Sequence, residues 1–196
     1  MKQVTTNLYS FEELSTVAQA VAIEKFIENS DIHMHNDEII SSIKSFCSVF
    51  NADFDYSVGT CGHAYLTFES KLDDEVLSLC GKRLIAWVIN NTEIMDYESK
   101  VYKLGDKVRK SRVMSSDVAM SENCMFTGVC WDIDLTKTFC ESVLKGFTLS
   151  ECLDESSSQM LKVWVEQMEY FESEEYAKEC LTANDECIYK DCGEIF

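Results

Sequence analysis

Apolar positions along the chain follow two different spacings, and the switches between them mark element borders. Phe11, Leu14, Val17, Ala18 and Val21 recur at intervals of three and four, and Ser10 with Glu13 has the form of a capping box. The spacing predicts a helix over 11–28. A second helix is expected over 37–50, with Ile39, Ile43, Phe46, Cys47 and Phe50 on one face. The period then drops to two. Ala52, Phe54, Tyr56 and Val58 alternate with polar residues, and after Gly59-Thr60-Cys61-Gly62 so do Ala64, Leu66 and Phe68, which reads as a β-hairpin. Asp73 and Asp74 open a third predicted helix that turns Val76, Leu77, Cys80, Leu84, Trp87 and Val88 inward.

The second half is read in the same way. Val129, Trp131 and Ile133 alternate with Cys130, Asp132 and Asp134, predicting a strand over 125–134. A short helix over 136–145 would end at Gly146, a residue suited to a left-handed C-cap. A long helix over 155–171 carries Leu161, Trp164, Val165, Met168 and Phe171 as its buried stripe, and a shorter one is expected over 173–182. A terminal hairpin would turn at Lys190-Asp191-Cys192-Gly193, where Gly193 can take a positive φ. The expected fold class is α+β: helices packed on small antiparallel sheets or hairpins, with a helix-rich acidic C-terminal third. The expected organisation is an N-terminal α+β part over 1–99 and a C-terminal one over 100–196, or one continuous domain.

Charge changes this picture most. The 196 residues hold 17 Lys and Arg against 35 Asp and Glu, a formal −18. Such a surface repels nucleic acid and anionic membrane and attracts basic surfaces. The imbalance is steepest over 151–196, where 13 acids face three lysines. One segment inverts it: Lys100, Lys103, Lys107, Arg109, Lys110 and Arg112 are six of the 17 bases. In so acidic a chain, this run is expected to pair with acids or to protect a strand edge. The ten cysteines, in a sequence that opens Met1-Lys2-Gln3-Val4 without a signal-peptide pattern, are expected to be reduced thiols, with Cys47, Cys80 and Cys140 at core positions.

Candidate chemistry is sparse. His33-Met34-His35-Asn36-Asp37 could offer two imidazoles to one metal from a strand, which would make a metal-dependent hydrolase. A polar loop capped by Asn36 or Asp37 before a helix accounts for the same residues. Cys61-Gly62-His63 sets a thiol near an imidazole, but a hairpin turn explains it. Asp132 and Asp134 would share the solvated face of a strand. No phosphate-cradling glycine loop or nucleophile elbow occurs, so neither a cofactor nor an enzymatic activity is expected. Glu166, Glu169, Glu172, Glu174, Glu175 and Glu179 form the strongest constellation. On a helix, carboxylates three residues apart stand ~4.5 Å apart along the axis, dense enough to imitate a nucleic-acid backbone.

Three stretches carry a family resemblance: Tyr9-Ser10-Phe11-Glu12-Glu13-Leu14-Ser15 with Ala18 and Ala22, Phe126-Thr127-Gly128-Val129-Cys130-Trp131-Asp132-Ile133-Asp134, and Ser173-Glu174-Glu175 through Ala183-Asn184-Asp185-Glu186 to Asp191-Cys192-Gly193. Together they resemble a family of small accessory proteins of bacteriophages and mobile elements, with patterns Y-x-F-x-E-L-S, F-T-G-x-C-x-D-x-D and a terminal D-G that Cys192 splits here. The resemblance implies an anti-defence protein, an anti-CRISPR first, acting in the host cytoplasm. The expected partner is a basic, nucleic-acid-binding protein complex, engaged through the six glutamates and without direct contact to nucleic acid or membrane. An antitoxin-like neutraliser of a basic protein is the alternative with the same chemistry.

Overall fold

The Ser10–Glu13 capping box forms, with Glu13 Oε2 accepting from the Ser10 backbone N–H at 2.9 Å, but it starts only a 3-10 turn, Phe11–Glu13. Ser15 is a second cap, its Oγ accepting from Ala18 N–H, and the helix proper, α1, runs Thr16–Asn29. Two competing caps five residues apart therefore split the expected helix. The computed structural model describes residues 7–30, 33–58, 63–95, 97–104, 107–114, 124–184 and 188–195. For 33–35, 97–104 and 107–114 the backbone alone is described.

Helix α2, His33–Val49, buries the face that its spacing foretold: Ile39, Ile43, Phe46 and Cys47, with Phe50 just beyond. Strands β1, Ala52–Ser57, and β2, Tyr65–Ser70, pair antiparallel with Phe54 opposite Phe68 and Tyr56 opposite Leu66. The expected turn at 59–62, with Cys61 and Gly62, lies outside the described residues. The third predicted helix is two: α3, Asp74–Leu77, and α4, Gly81–Asn91. Gly81 takes φ +54° and Cys80 precedes it in extended backbone, bridging Thr148, so Cys80 is exposed instead of joining the core. Strands β3, Tyr97–Leu104, and β4, Lys107–Met114, form a separate two-stranded ribbon containing all six bases of the inverted segment.

Helix α5 spans Trp131–Lys145 and ends at Gly146 in the left-handed region, φ 88°. Helix α6 spans Leu149–Phe171, starting six residues earlier than expected because Thr148 and Glu151 make a reciprocal cap: Glu151 Oε2 accepts from Thr148 N–H at 2.8 Å, and Thr148 Oγ1 from Glu151 N–H at 3.3 Å. Helix α7 follows over Glu174–Ala183. The terminal hairpin is reduced to single bridges, Tyr189 with Ile195 and Tyr189 with Tyr9, around a turn with Gly193 at φ +85°. Residue Cys187 lies outside the described residues. The fold is α+β, with seven α-helices and two antiparallel strand pairs among the described residues.

The chain divides elsewhere than at residue 99. One unit comprises Met1–Met34 with Val165–Phe196, and the other His35–Trp164. The core of the larger unit is a phenylalanine cluster: Phe46 has Phe50, Phe68, Phe126 and Phe139 within 6.2 Å, and Phe50 lies 4.7 Å from Phe139. Trp164 is also buried there, its Nε1 donating to Asn36 Oδ1 at 2.8 Å and its ring 5.3 Å from Tyr56. The smaller unit packs Phe11, Leu14, Ala18, Ala22 and Ile23 against Ala177, Leu181 and Tyr189.

Candidate functional site

All six predicted glutamates lie in the smaller unit, and four of them gather about Tyr170 near the junction of α6 and α7. Glu172 and Ser173 join the two helices. Ser173 Oγ accepts from Tyr176 N–H at 3.2 Å, and this cap sets the start of α7. Phe171 is buried at the corner with its ring 4.9 Å from Tyr176, while Tyr170 points outward. Tyr170 Oη donates to Glu179 Oε2 at 2.8 Å, across from α6 to the second turn of α7. That bond raises the Tyr170 phenol above its ordinary value, helped by burial and by the charges of Glu179 and Glu175. Glu175 and Glu179 share one face of α7, four residues apart, and Glu166 precedes Tyr170 by one helical turn on α6. Exposed Glu166, Glu175 and Glu179 are thus arrayed about one tyrosine, with Glu169 beside it.

The remaining two stand apart. Glu174 pairs with Lys178 at 3.6 Å on the flank of α7, and Glu172 is half-buried in the corner. Glu174 and Glu175 occupy the first turn of α7, where the helix dipole favours negative charge. Charge is also unevenly shared between the two units. The smaller one has 15 acids against four bases over its 66 residues, a net −11 of the chain's −18. A groove of about 460 Å³ in the same unit is lined by Ala22, Phe26, Leu181 and Ile195. Lys25 and Lys190 both bind Glu194 at its rim, at 3.1 and 3.4 Å, holding that carboxyl below its ordinary value. None of the six glutamates lines it.

The candidates in the larger unit take on other roles. The expected strand over 125–134 is a loop leading into α5, and Asp132 is wholly buried instead of solvated. Its Oδ2 accepts from the backbone N–H groups of Phe126, Thr127 and Gly128 at 2.9, 2.7 and 3.3 Å, and its Oδ1 from the Thr127 hydroxyl at 3.0 Å. Burial pushes the carboxyl up. The bonds from the Ser42 hydroxyl, the Thr127 and Phe126 backbone and the Thr127 hydroxyl outweigh it, so the group lies below the usual carboxylate range. Phe-Thr-Gly and Asp132 thus form one knot in which the loop wraps a carboxylate. The alternation of Val129, Trp131 and Ile133 hid it, because Trp131 opens a helix. Asp134 is half-buried, and burial raises its carboxyl against the pull of Lys137.

His33 and His35 lie in the first turn of α2, so the expected polar loop capped by Asn36 or Asp37 is already helix. Two residues apart on a helix, positions diverge by ~200°, so the strand geometry that would aim both at one ion is replaced. Asp37 is exposed, and Asn36 is engaged by Trp164. His63 is exposed, and Cys61 lies outside the described residues. Cys47, Cys140 and Cys152 are buried thiols pushed up to about 12, first by burial and then by nearby Asp53, Glu141 and Glu151. They are packing groups and poor nucleophiles. Among the described residues, no helix is long and apolar enough to cross a membrane. Neither a family model, nor a curated protein, nor a solved structure matches the chain, so its reading rests on these residues alone.

Proposed function

We propose that the protein is a phage-type inhibitor of a bacterial nucleic-acid-binding defence machine, a CRISPR effector first, and that it works in the host cytoplasm. Carboxylates around Tyr170 occupy a Lys/Arg groove meant for nucleic acid. The observation that carries the reading is the concentration of net −11 in the smaller unit, with Glu166, Glu175 and Glu179 presented about one exposed tyrosine. Tyrosine and arginine are both enriched at binding hot spots, and a guanidinium over the Tyr170 ring would meet carboxylates on two sides. The likeness of the three motif stretches to phage accessory proteins supports the setting, although the middle stretch serves the Asp132 knot.

The test is capture of partners from host lysate with the tagged protein, followed by titration of the purified partner. The variant is Glu166→Lys, Glu169→Lys and Glu175→Lys combined. Exposed positions of this kind are expected to cost about 1 kcal/mol or less in stability. Binding is expected to weaken at least tenfold, and wild-type affinity to fall between about 0.1 and 0.5 M salt as screening shortens. A partner whose affinity ignores both the variant and the salt rules the mechanism out. Capture of a small basic toxin would point to the neutraliser instead.

A further inference from the structure

We infer that the β3–β4 ribbon is a DNA-contacting arm that inserts into the major groove of a duplex. Its strands pair over eight residues each, from Tyr97 opposite Met114 to Leu104 opposite Lys107, and no third strand joins it among the described residues. At ~3.4 Å per residue it is about 27 Å long. The segment 97–114 holds six bases and two acids, net +4, so the rest of the chain is net −22. Register divides those bases evenly. Lys103, Lys110 and Arg112 fall on one face, and Lys100, Lys107 and Arg109 on the other.

The even division selects the partner. A flat acidic surface, such as that of a second copy of this chain, would meet one face and leave three cations unused. Two copies also repel each other through −18 apiece. A groove is walled by phosphates on both sides, so a ribbon inside it engages both faces. The B-form major groove, ~12 Å wide, admits a two-stranded ribbon, whereas the A-form RNA groove is too narrow and deep. The overall acidity does not forbid contact. At about 0.15 M salt, charges beyond ~8 Å are largely screened, and the ribbon acts through its own charge; at about 0.01 M the length is ~30 Å and the whole −18 is felt. The ribbon belongs to the larger unit and the six glutamates to the smaller one, and either reading can fail without the other.

The probe is a labelled DNA duplex of about two turns (~20 bp) and an RNA duplex of equal length, titrated with the full chain by fluorescence anisotropy. Binding to DNA is expected to pass through a maximum near about 0.1 M salt and weaken on both sides, with RNA bound at least tenfold more weakly. Neutralising either face, as Lys103→Gln, Lys110→Gln and Arg112→Gln or as Lys100→Gln, Lys107→Gln and Arg109→Gln, is expected to cost tenfold or more in DNA affinity. Each should flatten the high-salt slope by up to ~2.7 units, at ~0.9 per phosphate contact. Glu175→Lys should leave DNA binding intact or stronger. Absence of DNA binding at every salt, equal affinity for RNA, or loss of affinity from only one face overturns the inference. So does sedimentation showing a dimer that only the ribbon variants dissolve, which would identify a second copy as the partner. The salt maximum of the wild-type chain decides the matter even if a triple variant folds poorly.

Discussion

Replacing Asp132 by asparagine keeps the shape of the side chain but removes its charge and one of its two acceptors. The amide oxygen would take the Oδ2 site, where three backbone N–H groups converge, which leaves four charge-assisted hydrogen bonds weakened and forces the Thr127 hydroxyl to turn and accept from the amide nitrogen. Asp132→Asn is therefore expected to lower stability by about 2–4 kcal/mol in urea titration at neutral pH. Because the folded carboxyl lies below its unfolded value near 3.9, its contribution is complete above that value and is lost as pH falls through the folded one. The gap between wild type and variant should shrink below about pH 4. Other residues were legible beforehand: Ile39, Ile43, Phe46 and Phe50 declared a helical face by spacing and are all buried. Asp132 was not, because what buries it is a loop folding back over four to six residues, and neither helical nor strand period encodes that.

Among the elements, caps decided where the reading succeeded. Gly146 announced its terminus by residue type and acts there, and Ser173, where a helix was expected to begin, is the cap of α7. Pattern alone merged the Phe11–Glu13 turn with α1, and α3 with α4, since apolar spacing continues across a break that only Ser15 or Gly81 signals. Glu166, Glu169, Glu174, Glu175 and Glu179 were legible as exposed positions on two helices, but the gathering of four of the glutamates about Tyr170 depends on how tightly Glu172-Ser173 turns, a tertiary fact. The C-terminal turn supplies an element-level test. A Cβ on Gly193 would collide with the Ala18 carbonyl oxygen, at a φ of +85° that alanine resists. Gly193→Ala is expected to cost about 2 kcal/mol or more and to raise hydrogen exchange in α1. Unchanged exchange there would mean that the turn does not hold the helix.

At the scale of the whole molecule, the smaller unit is made from both ends of the sequence. Among the described residues, Phe11, Leu14, Ala18, Ala22 and Ile23 form one core with Ala177, Leu181 and Tyr189. Ending the chain after Phe171 should expose α1 to proteolysis while the phenylalanine cluster around Phe46 stays protected. If α1 resists cleavage in that truncated chain, the division into two units is not the one that governs stability. Composition gave no hint of this arrangement, since a pairing across some 180 positions leaves no local pattern; it is why a border near residue 99 was expected.

The same pairing has a consequence in time. A ribosome adds roughly 5–20 residues each second, and structures generally form as their parts emerge. Tyr9 bridges Tyr189, so the segment before α1 must wait on the order of ten seconds or more for the residue that pairs with it. During that wait the larger unit, continuous from His35 to Trp164, has all its residues and can condense. Helix α7, with its acidic first turn, emerges after the larger unit. The smaller unit therefore closes only once the residues around Tyr189 have emerged, after the larger one has had time to form.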